Sequence, residues 1–312
     1  MRFNHIFKLT NENKTHREYK CNNVNINIDF ISDSALRVAV FNDNAKMLPT
    51  FTVNPNNNLS SFGRSRLSTD GFDCVAPVVE KFDNKEQFIL ACGVTVDLDL
   101  NNFILSYSKE SKFLFGDRPP LAYNFEGEFG NGSYHYITRE DDEHIFGLGD
   151  KSGPINKAGR VYRIETADSM GFDAEKTDPL YKHVPFYICE NSVGAYGIYY
   201  DTTDTSFVDL GREINNYYCH FKYFKTDDDC LVYYVFFGNK LSVLQQYACL
   251  CGKQAFPPKW SFDYCGSTMA YTDAPDAQNQ MQNFLDKIKD LDLRRVLSFV
   301  RIYFNREFAL CF

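Results

Sequence analysis

Apolar and polar residues alternate over short stretches through the first two thirds of the chain. Val24-Asn25-Ile26-Asn27-Ile28 and Val94-Thr95-Val96-Asp97-Leu98-Asp99-Leu100 put every second residue on one face. Leu36, Val38 and Val40 do the same across Arg37 and Ala39. A period of two predicts strands with one face buried and the other in water. Later runs, Gly197-Ile198-Tyr199-Tyr200 and Leu231-Val232-Tyr233-Tyr234-Val235-Phe236-Phe237, are apolar on both faces. Turn-forming clusters separate the runs: Asn54-Pro55-Asn56-Asn57-Asn58, Asn131-Gly132 and Thr226-Asp227-Asp228-Asp229. Helical periodicity is nearly absent before residue 240 and no internal repeat is visible. The pattern therefore predicts a mainly β protein built on a large antiparallel β-sandwich.

The pattern changes near Pro257-Pro258. Just before it, Leu241 to Leu250 reads as a helix, with Leu241, Leu244 and Ala248 on one side. After it, Trp260 to Ser267 reads as a strand. Asp273 then caps a second helix with Pro275 in its first turn. Ala277, Met281, Phe284, Leu285 and Ile288 recur at helical spacing as its buried stripe. Leu291-Asp292-Leu293 begins another strand. Strand, helix, strand is the opening of a β/α barrel, so the expected boundary lies near residue 255, with a sandwich over 1–254 and a barrel start over 255–293.

Composition narrows the class. The 312 residues are 44% hydrophobic and 24% charged, which excludes a disordered chain and leaves ample material for a core. The 29 Phe and 20 Tyr favour strands. A net charge of -8 argues against nucleic acid or an anionic membrane as partner. No leader-like apolar stretch follows Met1, so a soluble, cytoplasmic protein is expected. The ten cysteines then read as reduced thiols. Cys249-Leu250-Cys251 is the only close pair and has no histidine near it, so no zinc site is expected.

Residue by residue, candidate chemistry is sparse. Asp227-Asp228-Asp229 suits an acidic turn better than a site for a hard cation. Gly147-Leu148-Gly149 begins like a nucleotide loop but lacks the third glycine and a following helix. His183 has no serine or cysteine motif beside it and reads as structural. No nucleophile elbow or P-loop occurs.

Longer ordered blocks say more. The run from His144 to Tyr187 contains His144-Ile145-Phe146-Gly147-Leu148-Gly149-Asp150, then Arg160-Val161-Tyr162-Arg163-Ile164-Glu165-Thr166-Ala167-Asp168. It closes on Asp178-Pro179-Leu180-Tyr181-Lys182-His183-Val184-Pro185-Phe186-Tyr187. Ala195 to Asp201, Val232 to Gly238, Pro257 to Trp260 and Tyr264 to Met269 follow in order. Together these blocks closely resemble the N-terminal sandwich of glycoside hydrolase family 31, the family of α-glucosidases and α-xylosidases. The resemblance is strong over residues 120–293 and loose over the first 120. It implies a galactose-mutarotase-like sandwich followed by the first strand and helix of a (β/α)8 barrel.

Members of that family are retaining glycosidases, so the resemblance implies a nucleophilic and an acid/base aspartate about 5–5.5 Å apart. In the family both sit on later barrel strands. From Pro257 onward the chain holds 56 residues, against roughly 250 for a full barrel. The family's Trp-x-Asp-Met-Asn-Glu block has no counterpart, and no catalytic residue is assigned. The resemblance implies substrate-binding roles for Asp168, on a sandwich loop over the barrel mouth, and for Met269 and Tyr271 at the end of the first barrel strand. An ordinary turn residue at Asp168 and core packing at Met269 and Tyr271 are the other readings. The implied parent reaction is retaining hydrolysis of terminal α-linked glucosyl residues from an α-glucoside oligosaccharide. No cofactor, metal, nucleic acid or membrane is implied, and the oligomeric state is open. The rival reading is a non-catalytic carbohydrate-binding sandwich.

Residues 294–312 depart from the family. Read one nucleotide later, the possible codons of Leu297 to Phe312 permit Phe-His, then Leu-Ser-Gly-Tyr-Thr-Ser-Ile-Gly, then Arg-Tyr-Val-Phe, close to the family's second barrel strand. The expectation is a frameshift near Leu293, in the gene or its sequencing. A barrel start that cannot close would leave the stripe from Ala277 to Ile288 uncovered and the region after Pro257 poorly ordered.

Overall fold

The computed structural model describes residues 5–55, 63–124, 132–215, 219–253, 256–262 and 274–291. Among them, seventeen strands, numbered along the chain, form three sheets. The largest has eight, in the spatial order β1 (Lys8–Glu12), β2 (His16–Cys21), β3 (Val24–Phe30), β4 (Ala35–Asn42), β17 (Cys230–Gly238), β14 (Ala195–Tyr200), β13 (Phe186–Glu190) and β11 (His144–Gly147). Five make the second: β5 (Val78–Phe82), β6 (Lys85–Ile89), β7 (Val94–Asp99), β8 (Ile104–Lys109) and β9 (Lys112–Gly116). The third runs β10 (Ser133–Thr138), β16 (Cys219–Thr226), β15 (Ser206–Asn215) and β12 (Val161–Ile164). Every pairing is antiparallel.

The pattern of side chains explains the layering. Ile26, Ile28, Leu36 and Val38 from the large sheet share one core with Val94, Val96 and Leu98 of β7 and with Ile137 and Phe224 of the four-stranded sheet. Strand β17 is apolar throughout because it has two cores to fill. Leu231, Tyr233, Val235 and Phe237 enter the sandwich core, while Val232, Tyr234 and Phe236 enter a second cluster on the sheet's other face.

Helix α1 (Lys240–Cys251) covers that second cluster. Asn239 caps it, accepting from Ser242 N while its own backbone N–H donates to Ser242 Oγ. The side expected from Leu241, Leu244 and Ala248 faces away from the cluster, Leu241 being 65% exposed. Val243 and Leu250 are buried instead. Gly197 decides this rotation: a Cβ there would lie 2.5 Å from Val243 Cγ1, so the glycine leaves the notch that Val243 fills.

Two buried ion pairs tie distant segments together. Lys222 of β16 donates to Glu143 Oε2 at 2.5 Å and to the Tyr196 hydroxyl at 2.6 Å, crossing from the four-stranded sheet to the eight-stranded one. Arg37 donates to Asp29 Oδ2 at 2.7 Å and to the backbone carbonyls of Arg66, Leu67 and Ser68, which fastens the loop after β4 to the large sheet.

The chain divides into two compact units, Met1–Lys253 and Gln254–Phe312. In the second, Lys259–Phe262 form a 3-10 turn, so the start of the run expected as a strand from Trp260 is not extended. Helix α2 (Ala277–Asp290) is present where the stripe predicted it. Asp276 stands at its N-cap without a side-chain bond to the helix backbone, its Oδ1 accepting instead from Gln280 Nε2 at 2.7 Å; Asp273, expected there, lies outside the described residues. Met281, Phe284 and Leu285 are half-buried and Ile288 is buried. Residues 292–312, which carry the suspected frameshift, lie outside the described residues. Among the described residues, no helix is long and apolar enough to cross a membrane.

Candidate functional site

Asp168 sits on the long connection between β12 and β13. Its base is tied at several points. Ala167 N donates to Leu180 O at 3.0 Å and Ser169 Oγ to Pro179 O at 2.8 Å. Asp178 accepts from Lys151 Nζ at 2.8 Å and from Arg163 N at 2.6 Å. A second clasp joins Asp173 N to Thr177 Oγ1 at 2.7 Å. The ordered loop presents Met170, 90% exposed, and Phe172, 60% exposed, beside Asp168. Tyr181 donates its hydroxyl to Asp168 Oδ1 at 2.7 Å, and this bond raises the tyrosine's pKa above its usual value. Asp168 is exposed, and its second oxygen can accept from a ligand hydroxyl. Met269 and Tyr271 lie outside the described residues.

Beside the root of this loop a cleft of about 570 Å³ opens in the sandwich unit. Thr52, Glu165, Thr166, His183, Thr203 and Tyr247 contribute to its wall. They come from the loop after β4, the β12–β13 connection, the stretch after β14, and α1. Thr52 Oγ1 is hydrogen-bonded to the Tyr199 hydroxyl and lies 3.4 Å from Asp201 Oδ1, which also accepts from Thr50 Oγ1 at 2.8 Å. Burial pushes the Asp201 carboxyl up, against the opposing hydrogen bond from Thr50 and the charge of Arg66. His183 Nε2 lies 3.1 Å from the Asp204 carbonyl oxygen. That oxygen only accepts, so Nε2 carries a proton, and in the neutral ring Nδ1 is left as an acceptor. Glu165 pairs with Arg163 at 2.8 Å. Tyr247 is stacked on Phe186, ring centroids 3.9 Å apart, which fixes its ring at the edge of the cleft.

The other motifs are structural. Asp228 takes an ion pair from Arg66 at 2.6 Å and a hydrogen bond from Thr202 at 2.9 Å, so the middle carboxylate of the acidic turn is a buried anchor. Among the described residues, no cluster of His, Cys, Asp and Glu is arranged to hold a metal ion. Gly147-Leu148-Gly149 is a left-handed turn out of β11, with Gly147 against the Phe186 backbone, where a Cβ would sit 2.6 Å from a carbonyl oxygen.

Residues 25–209 match the family model described as the glycosyl hydrolase 31 N-terminal galactose mutarotase-like domain. The chain belongs to glycosyl hydrolase family 31. An alpha-glucosidase 2 of Bacillus thermoamyloliquefaciens is 27% identical over 241 residues, covering 74% of this chain and 29% of that protein. An alpha-xylosidase of Saccharolobus solfataricus is 24% identical over 278 residues, covering 87% of this chain and 34% of that protein. A Flavobacterium johnsoniae GH31 dextranase, solved with isomaltotriose, shares the fold with a TM-score of 0.75 at 22% identity, over 92% of this chain and 33% of that one. The chain thus spans about a third of the length of these relatives. The loop bearing Asp168 and most of the cleft lie inside the family-matched span.

The family resemblance singled out Asp168 by its order along the chain, and the structure puts it on an exposed loop, bonded to Tyr181. It did not single out the cleft. Its threonines carry no periodic signal and reach one another from segments as far apart in the chain as Thr52 and Thr203.

Proposed function

We propose that this chain is the sandwich portion of a retaining α-glucosidase that removes terminal α-linked glucosyl residues. The family match over residues 25–209 carries the reading. The alpha-glucosidase among its relatives favours glucosyl over xylosyl substrates, and the alpha-xylosidases are the competing specificity. Asp168 would accept a sugar hydroxyl on the oxygen that Tyr181 does not occupy. The two catalytic carboxylates, about 5–5.5 Å apart in a retaining enzyme, would come from a barrel continued in the shifted frame after Leu293. The 312-residue chain alone would then be inactive.

The test is kcat/KM of the continued protein on nitrophenyl α-glucoside and α-xyloside. A preference for the glucoside of about tenfold or more supports the reading, since pocket contacts to one hydroxymethyl group are worth that much; a preference for the xyloside overturns it. A second reading, a carbohydrate-binding sandwich working without a barrel, is favoured by one observation: residues up to Lys253 close their own core.

A further inference from the structure

We propose that the cleft between Thr52, His183 and Tyr247 is a saccharide-binding site of the sandwich, taking one or two uncharged pyranose units through their hydroxyl groups. The choice of a sugar among neutral polyols rests on the carbohydrate reading above; the shape and lining of the cleft do not.

Exclusion does most of the argument. At about 570 Å³ the cleft falls within the size range of small-molecule sites. None of its lining residues is Lys or Arg, and Arg163 next to it is already paired with Glu165, so a phosphate or carboxylate ligand would find no free counter-charge. A wholly apolar ligand would strand the hydroxyls of Thr52, Thr166 and Thr203 away from water. The class left is neutral, rich in both donors and acceptors, and apolar on one face. Pyranoses fit this: their O–H groups suit the threonine hydroxyls and the His183 Nδ1 acceptor, and their C–H face suits the ring of Tyr247.

The groups are also held in place before any ligand arrives. Tyr199 and Asp201 fix the Thr52 hydroxyl from behind. The Asp204 carbonyl sets the tautomer of His183, and Phe186 sets the plane of Tyr247. Fixing them in the free protein lowers the ordering cost of binding.

The 312-residue chain contains six histidines, so one imidazole can be followed in the intact protein by NMR with labelled histidine. Maltose is the probe, inorganic phosphate the control, and His183→Gln assigns the signal. The His183 signal should move saturably with maltose and not with phosphate. Thr52→Val should weaken maltose binding about fivefold, the share of one neutral hydrogen bond, while the other imidazole signals stay in place and report an intact fold. A His183 signal that ignores maltose, that answers phosphate equally, or that titrates unchanged in Thr52→Val overturns the proposal. Its fate separates from that of the glucosidase reading. Maltose response without hydrolysis by the continued protein keeps this site and sinks that activity; hydrolysis without the response does the reverse.

Discussion

Replacing Lys222 by Met keeps the apolar stem of the side chain in the core and removes the cation that crosses between the sheets. Glu143, itself 0% exposed at the side chain, then keeps the Tyr196 hydroxyl as a donor, with the weakly donating Cys189 thiol beside it. Breaking a buried pair in this way costs about 3–5 kcal/mol. Protonation sets a ceiling on that cost. An ordinary glutamate titrates near pH 4.3, so neutralising one at pH 7 costs about 3.7 kcal/mol at about 1.36 kcal/mol per pH unit. Lys222→Met should therefore lose about 3–4 kcal/mol at pH 7. At pH 5 the same ceiling drops to about 1 kcal/mol. The double variant Lys222→Met, Glu143→Gln should recover most of the pH 7 loss, because no charge is left stranded. Urea unfolding followed by circular dichroism at the two pH values measures all of this. A loss under about 1 kcal/mol at pH 7, or an equal loss at both pH values, would refute the claim that a buried charge pair joins the sheets.

Three further outcomes follow from named contacts. Gly197→Val should push Val243 out of its notch and destabilise the packing of α1 by about 1–3 kcal/mol; faster proteolysis within α1 reads this out, and an unchanged rate contradicts it. His16 has its pKa raised chiefly by its 2.6 Å hydrogen bond to Asp29, so its stabilisation is full below the ordinary value of about 6.5 and lost as pH rises through the folded value. His16→Gln should accordingly cost more stability at pH 6 than at pH 9, and an equal cost at both would count against it. In the continued protein, Asp168→Ala should lower kcat/KM about tenfold or more, the worth of a charge-assisted hydrogen bond; wild-type kinetics would return Asp168 to the role of a turn residue.

What the sequence revealed and what it hid divide along the range of the interactions. Val94, Val96 and Leu98 announce β7 because alternation is a local property of a strand with one wet face. The unbroken run from Leu231 to Phe237 announces a strand with two covered faces, and the second cover proves to be α1. The rotation of that helix was not legible, since it depends on Gly197, more than forty residues earlier, and not on the helix's own leucines. Lys222 and Glu143, 79 positions apart, give no local sign of pairing. His183 read as structural from its neighbours; its bond to Asp204 agrees with a held side chain, yet the same bond leaves Nδ1 as an acceptor in a cleft wall. Such clefts are assembled by topology, and threonines scattered between turns do not mark them in advance.

The central claim is that this sandwich serves a family 31 glycosidase whose catalytic carboxylates lie beyond it. Hydrolysis of nitrophenyl α-glucoside by the purified 312-residue chain, beside the protein continued in the shifted frame, tests it most directly. The account predicts release of nitrophenol by the continued protein alone. Turnover by the 312-residue chain itself, abolished by substitution of one of its own carboxylates, would contradict it.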